Sequence, residues 1–381
     1  MDFIIKNKFS LYSLVIVISL NFLGIFFQMT RADYSILLFS HIIIFIIYLL
    51  NLKTLLEVIN HKIIIVFFAF IFFSILINHL IHVGFNIEVY NFSAYKLFFV
   101  SILHNFLLGG LLVKSFNNSK KIIPISFPKN IIVLIFFLCL YVAYETFFLT
   151  PFEENVSRVI FKGNNNLYQT FADYFSRLVI MLVFLNEYIF RFKNKKINTI
   201  TGLILVLGFL FISVSGSAKG PLFLLFIAGF LFFHFPKIIK TLCFLAGLYV
   251  LFYINILDIF NPRFFTSALY GLTNRLDFFE NYLDLFLYNP ILGSLYSHDT
   301  LGVDYIHSSI LSSFTGLGIV GGGIFVLINI DLLKRGIHLG GFLKYLIVIV
   351  ILISNAATYF DWFLFWFCCG IIYNANKLVY D

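Results

Sequence analysis

Residues 306–325 read IHSSILSSFTGLGIVGGGIF. Apart from one imidazole and a few hydroxyls the run is apolar, and its apolar residues go all the way round a helix instead of forming one stripe. That pattern suits burial in lipid and protein together. Glycines at 316, 318, 321, 322 and 323 follow on the same helix. Small residues of this kind let a neighbouring backbone approach closely, and Gly318-x-x-Gly321 is a packing signal in lipid. His307 stands as the first polar residue at the start of the run. Histidine is rare in apolar spans and tends to mark function there, although an interfacial histidine without a role fits the same position.

Working outward, the same character extends along nearly the whole chain. Of 381 residues, 61% are hydrophobic and 12% charged, with a mean hydropathy of +0.99 and 53 phenylalanines. A soluble domain carries about 25% charged residues to wet its surface. This chain cannot do so, and its outer surface is expected to face hydrocarbon. A helix crossing a bilayer needs about 20 apolar residues. Hydropathy places such runs at 11–27, 34–50, 63–81, 97–113, 131–149, 171–190, 199–215, 221–235, 241–259, 306–330, 342–356 and 358–376. The expectation is an all-α polytopic membrane protein of about twelve transmembrane helices, forming one transmembrane domain over 1–381. Lys6 and Lys8 precede the first run, but no small-residue cleavage site follows, so it reads as an uncleaved span.

Short cytoplasmic loops collect Lys and Arg. With the N-terminus inside and the sides alternating, most of the 26 basic residues fall inside. Only Arg31, Lys96, Arg158, Lys162, Arg177, Lys219, Arg263 and Arg275 remain outside. The acids lean outward, among them Glu153, Glu154, Asp277, Glu280, Asp299 and Asp304. Both biases predict N-in, C-in. The pI of 9.1 then reflects loops facing an anionic inner leaflet and calls for no nucleic-acid partner. Two external segments are long, 150–170 and 260–305. Function concentrates in long connections.

Within the second segment, 272–290 reads LTNRLDFFENYLDLFLYNP. Asn274 can cap a helix with Asp277 in the capping-box place, and Asn289-Pro290 stops it. Leu276, Phe279, Leu283, Phe286 and Leu287 share one face, while Asp277, Glu280 and Asp284 lie on another. Such an amphipathic helix can rest in the membrane interface. Arg275 falls in its first turn, where the helix dipole disfavours a cation, which suggests another use. The cysteines, Cys139, Cys243, Cys368 and Cys369, all sit in apolar runs without zinc-ligand spacing and read as small buried hydrophobes. No Asp-x-Asp motif is present, and Glu153-Glu154 reads as a solvated acidic patch, so no metal or other cofactor is expected.

Taken together these motifs resemble the O-antigen polymerase and ligase superfamily of bacterial membrane glycosyltransferases. His307-Ser308, nine residues, then Gly318-Ile319-Val320-Gly321 fits that family's pattern of His, a small polar residue, nine residues, Gly, two residues and Gly. The Arg275 helix followed by Asn289-Pro290-Ile291-Leu292-Gly293 is similar to its upstream element. Ser215-Gly216-Ser217-Ala218-Lys219-Gly220 is similar to a further element, with Lys219 in the place of an arginine. The resemblance covers about 199–330. It implies a polymerase at the outer face of the bacterial inner membrane, joining undecaprenyl-diphosphate-linked oligosaccharides into O-antigen or capsule, alongside membrane lipids and a chain-length regulator. His307 and Arg275 are then the catalytic residues. Arg158, Lys219 and Arg177 would add positive field at the diphosphate, and Asp304 would orient the imidazole.

Two other activities compete. A ligase of the same superfamily moves finished polymer onto lipid A core. A polysaccharide flippase or other transporter would instead show charge inside the bundle and helices broken near the midplane. Mid-span polar residues are few here, and the sequence shows no internal repeat.

Overall fold

The computed structural model describes residues 34–84, 97–119, 282–283, 286–287, 289–293, 308–339, 341–357, 360 and 362–375. All of the regular structure among them is helical, with no strand. The helices are α1 (Tyr34–Leu50), α2 (Leu52–Ile59) and α3 (Lys62–Gly84). A π-helical turn, Leu97–Leu103, then runs into α4 (His104–Ser119). Last come α5 (Ser309–Leu339), α6 (Gly341–Ala357) and α7 (Phe363–Asn374). The expected spans 11–27, 131–149, 171–190, 199–215, 221–235 and 241–259 lie outside the described residues. Among those described, α5 is the one helix that alone is long and apolar enough to cross a membrane.

The chain divides into two compact units, Met1–Leu50 with Ser115–Leu269, and Asn51–Lys114 with Tyr270–Asp381. In the first, α1 matches its apolar run from end to end. The second holds nearly everything else described. There α5 packs against α3, α6 and α7, and α7 against the π-helical turn.

The centre of the second unit is aromatic, as a chain so rich in phenylalanine requires. Trp366 is fully buried, stacks on Phe67 with ring centres 5.3 Å apart and meets Phe365 edge-on at 5.4 Å. Its indole N–H donates to the Phe360 carbonyl at 2.8 Å, so the polar end of the ring is satisfied. Phe325 of α5 reaches both Phe67 and Phe365. Such pairs contribute about 0.5–1.5 kcal/mol each beyond their buried area.

Close helix crossing occurs where α4 meets α7. A Cβ on Gly109 would strike the Phe367 carbonyl, and one on Gly370 the Phe106 carbonyl. These glycines bring two backbones together as small residues do in lipid. The sequence assigns that role to Gly318-x-x-Gly321, but Gly321 faces the Phe70 ring and Gly318 has another use, described below.

Two further departures concern lengths. The connection carrying Lys53 contains α2, a short amphipathic helix that buries Leu55 and Val58 and exposes Leu52 and Leu56. The run expected at 358–376 is shorter as a helix, because Phe360 lies in a turn and Trp362 is the residue before α7.

Burial runs against the rule for soluble proteins. Large apolar side chains such as Phe45, Leu56, Phe73 and Leu352 are exposed, whereas Ser309, Ser312, Ser313, Thr315, Asn329 and Ser354 are buried.

Candidate functional site

The residues the sequence nominates, His307, Arg275, Arg158, Lys219, Arg177 and Asp304, lie outside the described residues. What is described is the chain adjoining two of the motifs: the turn 289–293, and α5 from Ser308 onward. These two stretches meet.

The turn is built from its own sequence. The Gly293 N–H donates to the Asn289 carbonyl at 2.9 Å, and the Leu292 N–H to the Asn289 side-chain oxygen at 3.4 Å. Gly293 closes it at φ +75°, a conformation that a residue with a Cβ adopts only with strain. On the other side α5 is broken at Gly318, where φ is 66° and ψ is −171°. That combination is essentially restricted to glycine. The turn fills the break. The Ile319 N–H, freed from the helix, donates to the Pro290 carbonyl at 2.8 Å. The Leu292 carbonyl accepts from the Ser74 hydroxyl of α3 at 3.1 Å. The fit is so close that a Cβ on Gly318 would collide with the Ile291 carbonyl, and one on Gly293 with the backbone of Gly316 and Leu317. Buried backbone groups need partners, and the inserted turn supplies one. Leu283 and Leu287, of the apolar stripe read for the 272–290 helix, are 57% and 66% exposed, whereas Phe286 is half-buried.

The start of α5 is fastened from two directions. Ser308 caps it, its hydroxyl accepting from the Leu311 N–H at 3.4 Å. Asn355 of α6 accepts from the Ile310 N–H at 3.2 Å and from the Ser309 hydroxyl at 3.0 Å, while the Ser354 hydroxyl lies 3.2 Å from that of Ser309. One turn later the Ser312 hydroxyl accepts from the Phe360 N–H at 3.0 Å. The opening N–H groups of α5 are therefore largely taken by side chains and do not form an open anion cradle. A diphosphate near this end would have to be held by side-chain cations instead.

The other end of α5 carries a cleft of about 530 Å³ that the sequence reading passes over. Lys62 and His61 form one wall, Asp331, Lys334 and Arg335 another, and Tyr373 the floor. The Arg335 Nε donates to Asp331 Oδ2 at 2.8 Å, and its guanidinium lies 4.7 Å from the centre of the Tyr373 ring. His61 also packs on that ring, 5.1 Å between centres. Burial, then the nearby Arg335 charge, holds the His61 imidazole below the usual histidine value. The Tyr373 hydroxyl and His61 Nε2 are buried, with the Asp331 carboxylate and the Asn374 side chain as their respective polar neighbours. The visible signal was the i, i+4 pair Asp331 and Arg335. His61 and Tyr373 are too distant in sequence for any local pattern to join them to it.

No group of His, Cys, Asp and Glu suited to a metal ion occurs among the described residues. No protein-family profile, curated protein or solved structure shows a significant match to this chain.

Proposed function

We propose that this chain is a multi-pass protein of the bacterial inner membrane, about twelve helices with both termini inside, that polymerises undecaprenyl-diphosphate-linked oligosaccharides at the outer face. Membrane residence is supported by composition, by α5, and by apolar exposure combined with polar burial. The observation that carries the catalytic reading is the seating of the 289–293 turn in the Gly318 break. Two stretches on which the family resemblance rests, the turn at 289–293 and the break at Gly318, interlock through backbone.

In this reading the acceptor hydroxyl gives its proton to the His307 imidazole, whose ordinary pKa suits the task. The hydroxyl oxygen bonds to the anomeric carbon of the donor as the bond from that carbon to the diphosphate oxygen breaks. The electron pair leaves on undecaprenyl diphosphate. Arg275 stabilises that growing charge through the paired hydrogen bonds of its planar fork. Lys219, Arg158 and Arg177 add field, and Asp304 orients the imidazole. Loss of surface polymer in His307→Ala and Arg275→Ala strains, at unchanged protein level, is the expected result; normal polymer would defeat the assignment.

One observation favours transport as a second reading, namely that α5 is a broken helix. In transporters such breaks expose backbone to a cavity holding the cargo. Here the gap is filled by the chain's own turn, and the freed Ile319 N–H is bonded to Pro290. Lipid-linked repeat units stranded on the inner face of a deletion strain would support transport, whereas single repeats on lipid A core support the polymerase.

A further inference from the structure

We propose that the cleft at the Arg335 end of α5 binds the headgroup of an anionic phospholipid, with an acyl chain running along Leu327 and Ile330. This rests on membrane residence alone and not on the glycosyl-transfer chemistry. Four features of the cleft point to one such ligand.

The first is charge. Lys62 and Lys334 are exposed, and the single ion pair among the described residues joins Arg335 to Asp331. Asp331 is thereby engaged, and no ion pair engages the two lysines. The second is a fixed donor. Arg335 is held from one side by Asp331 and from another by the Tyr373 ring, so its remaining guanidinium N–H groups are pre-positioned, and a planar fork matches a phosphate. The third is a fixed back wall. Tyr373, only 3% exposed, packs its ring against both Arg335 and His61, so the guanidinium stands on a rigid surface. The fourth is amphipathic shape. The volume, about 530 Å³, lies in the range of ligand sites, and Ile63, Leu327 and Ile330 border the charged part. Leu327 and Ile330 are 56% and 45% exposed. A free phosphate would use the cations and leave that apolar border unused. A phospholipid uses both. From the break at Gly318 to Lys334, α5 runs roughly 24 Å at 1.5 Å rise per residue, most of the depth of a bilayer's hydrocarbon core. Basic pockets between helices on the cytoplasmic side suit anionic headgroups.

The test uses the full-length chain purified in a neutral detergent. It is titrated with phosphatidylglycerol, phosphatidylcholine or inorganic phosphate, and bound ligand is read by native mass spectrometry. Phosphatidylglycerol is expected to be retained at least about tenfold better than phosphatidylcholine. Lys62→Gln and Lys334→Gln should each weaken that retention roughly fivefold, while Lys62→Arg keeps it. Lys53→Gln, outside the cleft, should change nothing. Equal retention of the two lipids would overturn the proposal, as would an undiminished preference in the folded double variant. Inorganic phosphate displacing the lipid at equal concentration would also overturn it, by showing a site for the free anion. Polymer synthesis is not measured, so the outcome bears on this site and leaves the glycosyl-transfer reading untouched.

Discussion

The two ends of α5 differ in how their polar groups are treated. At the Ser308 end the N–H groups of Ile310, Leu311 and Ser312 are committed: Ser308 caps, Asn355 accepts twice, Ser312 takes the Phe360 N–H, and a turn plugs the Gly318 break. At the Arg335 end a cleft remains, edged by two exposed lysines that no ion pair engages. Closed hydrogen bonding fixes geometry, which precise positioning of reacting groups requires. An open cationic cleft leaves room for a ligand. The difference teaches that one helix can serve as a rigid frame at one end and as a receptor at the other.

The sharpest way to break this comparison is to spoil the frame's chemistry without touching its packing. His307→Ala is expected to lower polymer synthesis by roughly 10²–10⁴-fold, the range for losing a general base, with protein level unchanged. Next in size are changes to the plug. Gly318→Ala places a methyl group against the Ile291 carbonyl at a glycine-only conformation, and Gly293→Ala does the same against Gly316. Each should destabilise by about 3 kcal/mol or more, read as a lower unfolding temperature in detergent and as loss of activity. A smaller effect follows from uncapping. Asn355→Ala removes the acceptor for Ile310 and Ser309 and should cost about 1–2 kcal/mol. Arg335→Ala, at the open end, should change stability by under about 1 kcal/mol, since its ion pair is half exposed. If Arg335→Ala were as damaging as Gly318→Ala, the division into frame and receptor would fail.

The smallest expected effect concerns pH. His61 in the folded protein binds its proton less readily than in the unfolded chain, because burial and Arg335 oppose the charge. The unfolded state therefore takes up more protons as the pH falls. Stability should be full above the usual histidine value of 6.5 and decline as the pH drops below it. His61→Gln should flatten that decline in an unfolding-temperature series, and an identical slope in the variant would remove His61 as its source.

Much of the described helical framework was legible because hydrophobic run length is a direct physical quantity. The run 34–50 coincides with α1, and 342–356 falls one residue inside α6 at each end. Position 63–81 sits within α3, one residue inside at its start and three at its end. Hydropathy failed where apolar content does not decide the backbone. It missed α2, whose Leu52, Lys53 and Glu57 make the segment look like a loop. It also read Gly318 as a packing residue. Glycine serves close approach and left-handed backbone equally well, so only coordinates separate the two uses. The cleft was hidden for another reason: His61, Arg335 and Tyr373 come from three separated segments, and no spacing rule spans them. Of the nominated site, Ser308 and 289–293 are described, while His307 and Arg275 lie outside the described residues.

Reconstitution tests the central claim most directly. The purified chain is placed in liposomes with a defined undecaprenyl-diphosphate-linked repeat unit, and products are resolved by length. The expected result is a ladder of extended glycan from the natural chain and none from His307→Ala. A ladder that persists in that variant, or its absence with the natural chain when the correct repeat unit is supplied, would contradict the account.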